Sequence, residues 1–249
     1  MIKIYNGDCL KVMSKFKDKS IDAIITDPPY GTTTCKWDSI IPLESMWEQL
    51  KRVIKPNGAI VMTASQPFTT TLIASNMKMF KYCWAYQKTK ATNFLNAKKN
   101  PLKYHEDVVV FCRKGQHTYN PQMIEGKPYK KVHRNDNKED CVYGKSTRKN
   151  GDVFKNAGIR YPSSIIPPIA NPSGRGQLHP TQKPVALMEY LIKTYTNEGE
   201  TVLDFTMGSG TTLVACKRTN RNGIGIEQDK KYCEIAIERL KNETSHLTA

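Results

Sequence analysis

Short apolar runs that alternate with helical repeats set the strongest limit on how this chain folds. Ile2-Lys3-Ile4-Tyr5 alternates as a strand, Asn6-Gly7-Asp8 turns, and Leu10, Val12, Met13 and Phe16 carry helical spacing over residues 10–16. Residues 21–26 read as a buried strand. Residues 43–54 have amphipathic periodicity that stops at Pro56-Asn57-Gly58, and Ala59-Ile60-Val61-Met62 follows as a strand. A helix is expected over residues 65–77, then strands at 80–86 and 107–112 across a loop rich in lysine and asparagine. Later, a helix opens after His179-Pro180-Thr181-Gln182-Lys183-Pro184 and runs to Tyr195; strand, helix, strand and helix follow at 201–205, 210–219, 223–227 and 229–240. This alternation marks an α/β protein with a doubly wound, mostly parallel sheet.

Between these halves, residues 113–173 lose periodicity, and Gly, Pro, Asn, Lys and Tyr dominate. A stretch of that length exceeds an ordinary connection of about 4–6 residues, so it reads as an insertion with short irregular elements. The expected organisation is residues 1–112 and 174–249 as two halves of one domain, with 113–173 inserted.

Asp27-Pro28-Pro29-Tyr30 follows the 21–26 strand. It therefore lies at a carboxyl end, where open α/β sheets bind ligands. The tetrapeptide holds a carboxylate, two stiff imino acids and an aromatic ring in fixed geometry. The carboxylate and a backbone carbonyl can accept both hydrogens of an exocyclic amine while the ring stacks on a planar base. A Pro-Pro turn with a packed tyrosine is an equally available reading of these four residues alone.

A second motif, Asp204-Phe205-Thr206-Met207-Gly208-Ser209-Gly210-Thr211-Thr212, stands between a strand and a helix, and Glu227 ends the following strand. Small residues let a ligand approach the backbone, and an acid about 20 residues on can take two ribose hydroxyls, so nucleoside binding is expected. A phosphate loop would need a Gly-Lys-Ser/Thr ending, which is absent, and Leu213 stands where a dinucleotide fingerprint needs a small residue. A plain strand-helix turn is the competing reading.

The net charge of +15 is concentrated rather than spread. Residues 78–103 hold seven lysines and no acid, and residues 113–160 hold twelve basic and five acidic side chains, while the remainder is nearly neutral. Such a one-sided band suits a polyanion such as a nucleic acid, with Lys and Arg on phosphates. Trp84, Tyr86, Asn93 and Phe94 are candidates to border a base pocket, with strand packing the competing role for Trp84. Tyr119, Tyr129 and Tyr143, interleaved with Lys130, Lys131 and Arg134, could stack on DNA or form a small core. Seven cysteines without a Cys-x-x-Cys pair, and five histidines without ligand spacing, point to reduced thiols and no metal site. No apolar run approaches the roughly 18 residues that span a bilayer, and residues 1–8 lack the apolar core of a secretory signal, so an intracellular protein is expected.

Taken jointly and in this order, Asp27-Pro28-Pro29-Tyr30, His179-Pro180-Thr181-Gln182-Lys183-Pro184, Met207-Gly208-Ser209-Gly210-Thr211-Thr212 and Gly225-Ile226-Glu227 resemble the DNA amino-methyltransferases of the β arrangement. In that family the catalytic half comes first, the target-recognition region second and the S-adenosylmethionine half last. The resemblance covers roughly residues 1–112 and 174–241. It implies a Rossmann-like methyltransferase fold, catalysis by Asp27, Pro28, Pro29 and Tyr30, and a cofactor held by Asp204, Phe205, Thr206, Gly208, Ser209, Gly210, Thr211, Thr212, Glu227 and Gln228. It further implies Asp8 and Cys9 beside the cofactor's adenine, and Asp27, His179, Thr181 and Lys183 near its methionine end. The chain departs from the pattern at Thr206, where the family usually has a phenylalanine; here the aromatic is displaced to Phe205.

The resemblance implies methylation of an exocyclic amine in double-stranded DNA. The family's aspartate form usually marks adenine N6, and a serine in its place is commoner for cytosine N4, so adenine is expected, with cytosine N4 the alternative. Cytosine-C5 methylation needs a cysteine following a proline, which none of the seven supplies. A DNA-binding module without turnover and an RNA methyltransferase are the readings from other classes. A homodimer and a restriction nuclease acting on the same site are the partners the resemblance suggests.

Overall fold

The computed structural model describes residues 1–33, 38–113, 115, 117–132, 151–170 and 178–243. In chain order its elements are β1 (Ile2–Asn6), α1 (Cys9–Met13), β2 (Ile21–Thr26), α2 (Leu43–Val53), β3 (Ile54–Ala64), α3 (Phe68–Ser75), β4 (Phe80–Thr92), a 3-10 turn (Phe94–Asn96) and β5 (Lys103–Cys112). There follow β6 (Ile124–Glu125), β7 (Tyr129–Val132), β8 (Val153–Asn156), β9 (Ile159–Arg160), β10 (Ile165–Ile169), α4 (Val185–Tyr195), β11 (Thr201–Asp204), α5 (Thr211–Arg218), β12 (Asn222–Glu227) and α6 (Lys230–Asn242). Eight strands form one sheet in the order β1-β12-β11-β2-β3-β5-β4-β10. Only β5 runs against its neighbours; every other pairing is parallel.

Strand alternation feeds two cores. Ile24, Ile60, Val109 and Leu203 pack with Met13, Trp47, Leu50, Phe68 and Leu72 from α1, α2 and α3. Their sequence neighbours Ala23, Ile25, Val61, Val110 and Val202 point the other way, onto Leu187, Leu191, Tyr195, Ala215 and Cys216 of α4 and α5. A parallel sheet buried on both faces needs near-continuous apolar strands, which is why these runs looked buried in the sequence. Each fully buried Leu, Ile or Val contributes about 1.5–3 kcal/mol. Among the described residues, Cys9, Cys83, Cys112, Cys216 and Cys233 are free thiols. No helix of the described residues is long and apolar enough to cross a membrane.

Several boundaries differ from the sequence reading, each for a local reason. The turn expected at Pro56-Asn57-Gly58 is a bulge inside β3: Ile21 faces Ile54 and Ala23 faces Ala59, so extra residues of β3 loop out. Gly58 is required there, because a Cβ would stand 2.5 Å from the Asp22 carbonyl oxygen. Helix α1 is shorter than expected, starting where the Asp8 side chain accepts from the Lys11 N–H at 2.9 Å and ending at Met13. Helix α3 is also shorter, whereas β4 and β5 are longer because Gln87 pairs with His105 and Thr92 with Lys103. Within the expected insertion, β10 joins the main sheet beside β4; its Pro167 and Pro168 are tolerated because this is an edge strand.

The chain divides into two compact units, Met1–Asn120 with Ser164–Ala249, and Pro121–Ser163. The smaller unit pairs β6 with β9 and β7 with β8, with Tyr129 and Phe154 in ring contact at 6.2 Å.

Candidate active site

The sheet reverses its winding between β11 and β2: chain order runs outward through β12 on one side and β3 on the other. Open α/β sheets bind ligands outside the carboxyl ends of strands at such a switch point. Thr26 ends β2 and donates its hydroxyl to Asp204 at the end of β11 at 2.7 Å. The Thr206 hydroxyl lies 2.7 Å from that of Thr26 and donates to the Asp27 backbone carbonyl at 3.2 Å. These bonds stitch the two motifs together although 177 positions separate Asp27 from Asp204. Both motifs line one cavity of about 1130 Å³, with Asp27, Pro28, Pro29 and Tyr30 at one part of its wall and Gly208, Ser209 and Glu227 at another. Small-molecule sites commonly occupy about 300–1,000 Å³, so this one has room for two groups side by side.

Asp27 is held from three directions. Its Oδ1 accepts from the Tyr30 hydroxyl at 2.6 Å and from the Thr63 hydroxyl, and its Oδ2 accepts from Lys183 Nζ at 2.8 Å. Lys183 also reaches Glu106 at 3.2 Å, and Glu106 pairs with Lys88. Four alternating charges, Asp27, Lys183, Glu106 and Lys88, thus cross the cavity wall. Burial pushes against the Lys183 ammonium, but Asp27, Tyr30 and Glu106 outweigh it and hold its pKa well above the ordinary lysine value. For Glu106, burial raises and the two lysines lower; the lysines win, and its pKa lies below the usual glutamate value. The Tyr30 ring stacks on Phe68 at 5.3 Å and 22°, with the Lys183 ammonium 5.6 Å from its centre.

The loop after Tyr30 closes on a carboxylate that the sequence reading missed. Asp38 accepts from the backbone N–H groups of Tyr30, Gly31, Thr32 and Thr33 at 2.8, 2.9, 2.9 and 2.7 Å. Burial works against its charge, yet the donors prevail and its pKa is lowered. Nothing in the spacing of Asp38 signals this, because the donors are main-chain groups. Asp38→Ala is expected to free those amides, each bond to a charged group being worth about 1.5–3 kcal/mol without simple additivity. Hydrogen exchange at residues 30–33 should accelerate at least tenfold while amides of β2 and β3 keep their protection; equal protection in the variant would refute the assignment.

The second part of the cavity fits a nucleoside-type group. Glu227 ends β12 with Oε2 accepting from Gly208 N–H at 3.1 Å and Oε1 from Asp229 N–H at 2.8 Å, which orients the carboxylate and leaves further acceptor capacity on both oxygens. Burial raises its pKa. Asp8, Cys9, Phe205, Thr206, Thr211, Thr212 and Gln228 also line the cavity, as do His179, Thr181 and Lys183. The His179 ring lies 4.4 Å from that of Tyr232, a further lining residue that the sequence did not single out. The Cys9 thiol is pushed up to about 11, chiefly by burial. Phe205 is also buried in the first core, while Thr206 sits at the seam with Asp27. Gly210 is not among the lining residues: at φ +78° it precedes α5, and a Cβ there would stand 2.7 Å from the Ala236 Cβ, so its smallness serves helix packing against α6.

Asp204 is buried, and burial raises its carboxyl pKa to about 6 despite hydrogen bonds from Thr212, Thr26 and the Thr206 N–H. A folded value above the ordinary 3.8 means that the ionised form is penalised in the native state. Stability from this group therefore rises as pH falls from above 6 toward 4. Asp204→Asn keeps the acceptor oxygen and cannot ionise, so its melting temperature relative to the parent should be highest near pH 7 and fall on acidification; a difference that is flat with pH would contradict this.

Trp84 and Tyr86, candidates to border a base pocket, are instead buried in the second core, Trp84 donating to the Tyr195 hydroxyl at 2.7 Å and Tyr86 to the Ile169 carbonyl at 2.9 Å. Asn93 and Phe94 stand beyond them on the loop between β4 and β5. Tyr119 belongs to the larger unit, in ring contact with His117 and Tyr195. Tyr129 contacts Phe154 and lies beneath Arg160, with Lys130 and Lys131 exposed beside it. Tyr143 and Arg134 lie outside the described residues.

Comparison with known proteins agrees with this geometry. The model of the N6/N4 methyltransferase family, described as DNA methylase, matches residues 21–238. The chain is 30% identical over 252 residues to Type II methyltransferase M.HpaI of Haemophilus parainfluenzae, covering 95% of this chain and 73% of that protein. It is 30% identical over 273 residues to Type II methyltransferase M2.DpnII of Streptococcus pneumoniae, covering 97% and 91%. Among solved structures, the M1.HpyAVI-SAM complex superposes with a TM-score of 0.66 at 28% identity, over 96% of this chain and 99% of that one. The cytosine-N4-specific PvuII DNA methyltransferase gives 0.68 at 15% identity over 95% and 85%, a likeness of fold. A family match across both motifs and the region between them leaves one conclusion: this chain belongs to the N6/N4 DNA methylase family.

Proposed function

We propose that this DNA methylase transfers a methyl group from S-adenosylmethionine to the exocyclic N6 amine of adenine within a defined sequence of double-stranded DNA. The observation that carries the reading is a single cavity with Asp27 on one part of its wall and Gly208 and Glu227 on another. The M1.HpyAVI structure at 28% identity is a complex with SAM, which supports the choice of cofactor. The aspartate in first position of Asp27-Pro28-Pro29-Tyr30 favours adenine over cytosine.

In this reading Glu227 takes the ribose hydroxyls, Gly208 and Ser209 let the cofactor lie close to the backbone, and Asp8, Cys9 and Gln228 flank its adenine. His179, Thr181 and Lys183 border its methionine end. The cofactor, when bound, supplies a methyl group made electrophilic by a sulfonium. The residues of the chain do the rest. An aromatic amine is a poor nucleophile because its lone pair is delocalised into the ring. Asp27 and the Pro28 carbonyl would accept its two hydrogens and draw the nitrogen toward tetrahedral geometry, freeing its lone pair to take up the methyl group that the sulfonium releases. The surplus proton on nitrogen leaves along its hydrogen bond to Asp27. Positioning and fixed charge provide the acceleration. Tyr30 stacks on the extruded base and offsets part of an unstacking cost of a few kcal/mol.

The relatives named Type II methyltransferases support a place in a restriction-modification pair, with a nuclease acting on the same site inside a bacterial cell or a virus that infects one. The test is direct: purified chain, unmethylated duplex and methyl-labelled cofactor are incubated and the DNA is digested to nucleosides. Label in N6-methyladenine is the expected result. Label in N4-methylcytosine would transfer the assignment to cytosine, and binding of DNA and cofactor with no labelled product would reduce the chain to a binding module.

A further inference from the structure

Among the described residues, the loop between β4 and β5 carries a surface feature that the active site leaves unexplained. Phe94 is 74% exposed and Leu95 86% exposed, side by side on a 3-10 turn. Single exposed apolar residues are ordinary, whereas contiguous apolar surface held in water marks an interaction site. The turn is held by its own hydrogen bonds. Asn93 adopts a left-handed conformation at φ 71°, its side chain accepts from Asn96 Nδ2 at 2.8 Å, and the Ala97 N–H donates to the Phe94 carbonyl at 3.1 Å. The apolar pair is thus presented by a hydrogen-bonded scaffold, at reduced entropic cost on binding.

Two further facts say what the pair meets. Thr92 and Lys103 face each other across the hairpin and both line the cavity, so residues 93–102 begin at its rim. Around the tip, Lys90, Lys98, Lys99 and Lys103 are exposed and residues 89–105 contain no acidic side chain, which selects a polyanion and disfavours a neutral apolar partner. Proteins that unstack bases insert apolar wedges between them. We propose that Phe94 and Leu95 are such a wedge: the tip enters the duplex beside the target nucleotide and occupies the gap left when the base swings into the cavity. The inference rests on the methyltransferase reading above and adds how this chain opens the helix.

The experiment compares two duplexes that carry the site of modification, located by sequencing DNA methylated by the wild-type chain. In one the target base is normally paired; in the other it faces an abasic position, so that extrusion is already easy. The double variant Phe94→Ala/Leu95→Ala should methylate the paired duplex roughly 10–100-fold more slowly than wild type and the abasic duplex within about threefold of it. Phe94→Tyr with Leu95→Met should retain most of the rate on both. The salt dependence of DNA binding should stay unchanged, because the lysines remain. Wild-type rates of the double variant on paired DNA, or equal losses on both duplexes, would overturn the wedge. A wild-type chain that modifies no DNA, so that sequencing finds no site, would instead overturn the underlying reading, a result distinct from either.

Discussion

Asp27→Ala is expected to reduce single-turnover methylation by at least about 10²–10³-fold, the usual effect of deleting one preorganised polar partner of a reacting group. Affinity for S-adenosylmethionine should fall far less than the rate, because Gly208 and Glu227 bond each other rather than Asp27, even though Lys183 loses its Asp27 partner. The Thr206 hydroxyl donates to the backbone carbonyl of residue 27, which the substitution retains, so the seam between β2 and β11 should survive. Rapid-quench assays report the chemical step and calorimetry the cofactor affinity. A variant that methylates within tenfold of wild type would remove Asp27 from the catalytic role, and a proportional collapse of cofactor binding would recast it as a binding residue.

The second large effect concerns stability. Lys183 sits between Asp27 and Glu106, and Lys183→Met would leave two carboxylates that shared one ammonium at a cavity wall, their side chains only 21% and 13% exposed. Breaking a buried pair from one side costs about 3–5 kcal/mol; the partial exposure places this one toward the lower end, about 3 kcal/mol. The pH window follows from the two shifts. The raised pKa of Lys183 contributes stability at all pH values below its ordinary 10.5, which is lost only as pH rises through the folded value. The lowered pKa of Glu106 contributes stability above its ordinary 4.5, which is lost as pH falls through the folded value. The deficit of the variant should therefore be largest between about pH 5 and 10 and should narrow in acid. Adding Asp27→Asn should recover part of it, since the carboxylate left without a cation is then neutral while Glu106 keeps Lys88 as its partner. Urea titrations of the single and double variants at pH 7 and pH 4 would check this, and a deficit that does not narrow in acid would argue against the charge account.

Where local patterning and global placement coincide, the fold could be read from the chain. β2 and β12 have apolar strands whose ends were visible from Asp27 and Glu227, and α4 ends at Tyr195 as its periodicity requires. Strand extension into the lysine-rich stretch was not legible. Lys88 reads as a surface residue, and only its pairing with Glu106 on the neighbouring strand lets it be buried. Pro56-Asn57-Gly58 reads as a turn because its chemistry is that of a turn, and the parallel partner β2 turns it into a bulge. Trp84 and Tyr86 offer the same aromatic surface to a core as to a base, and their strand direction decided for the core. Asp38 and Glu106 carried no signal, since one works on main-chain donors and the other on charges distant in sequence.

The order of side chains along the polypeptide determined which chemical groups this protein owns: an acid with two prolines and a tyrosine after one strand, a glycine-containing turn after another, a carboxylate at the tip of a third, and a lysine-rich segment between them. What tertiary structure alone decided is that these groups share one cavity. The Thr26–Asp204 and Thr206–Asp27 bonds join residues nearly 180 positions apart, and no local rule specifies them. Periodicity is a property of neighbours within a few residues, whereas the meeting of β2 with β11 depends on how the whole sheet buries its two faces.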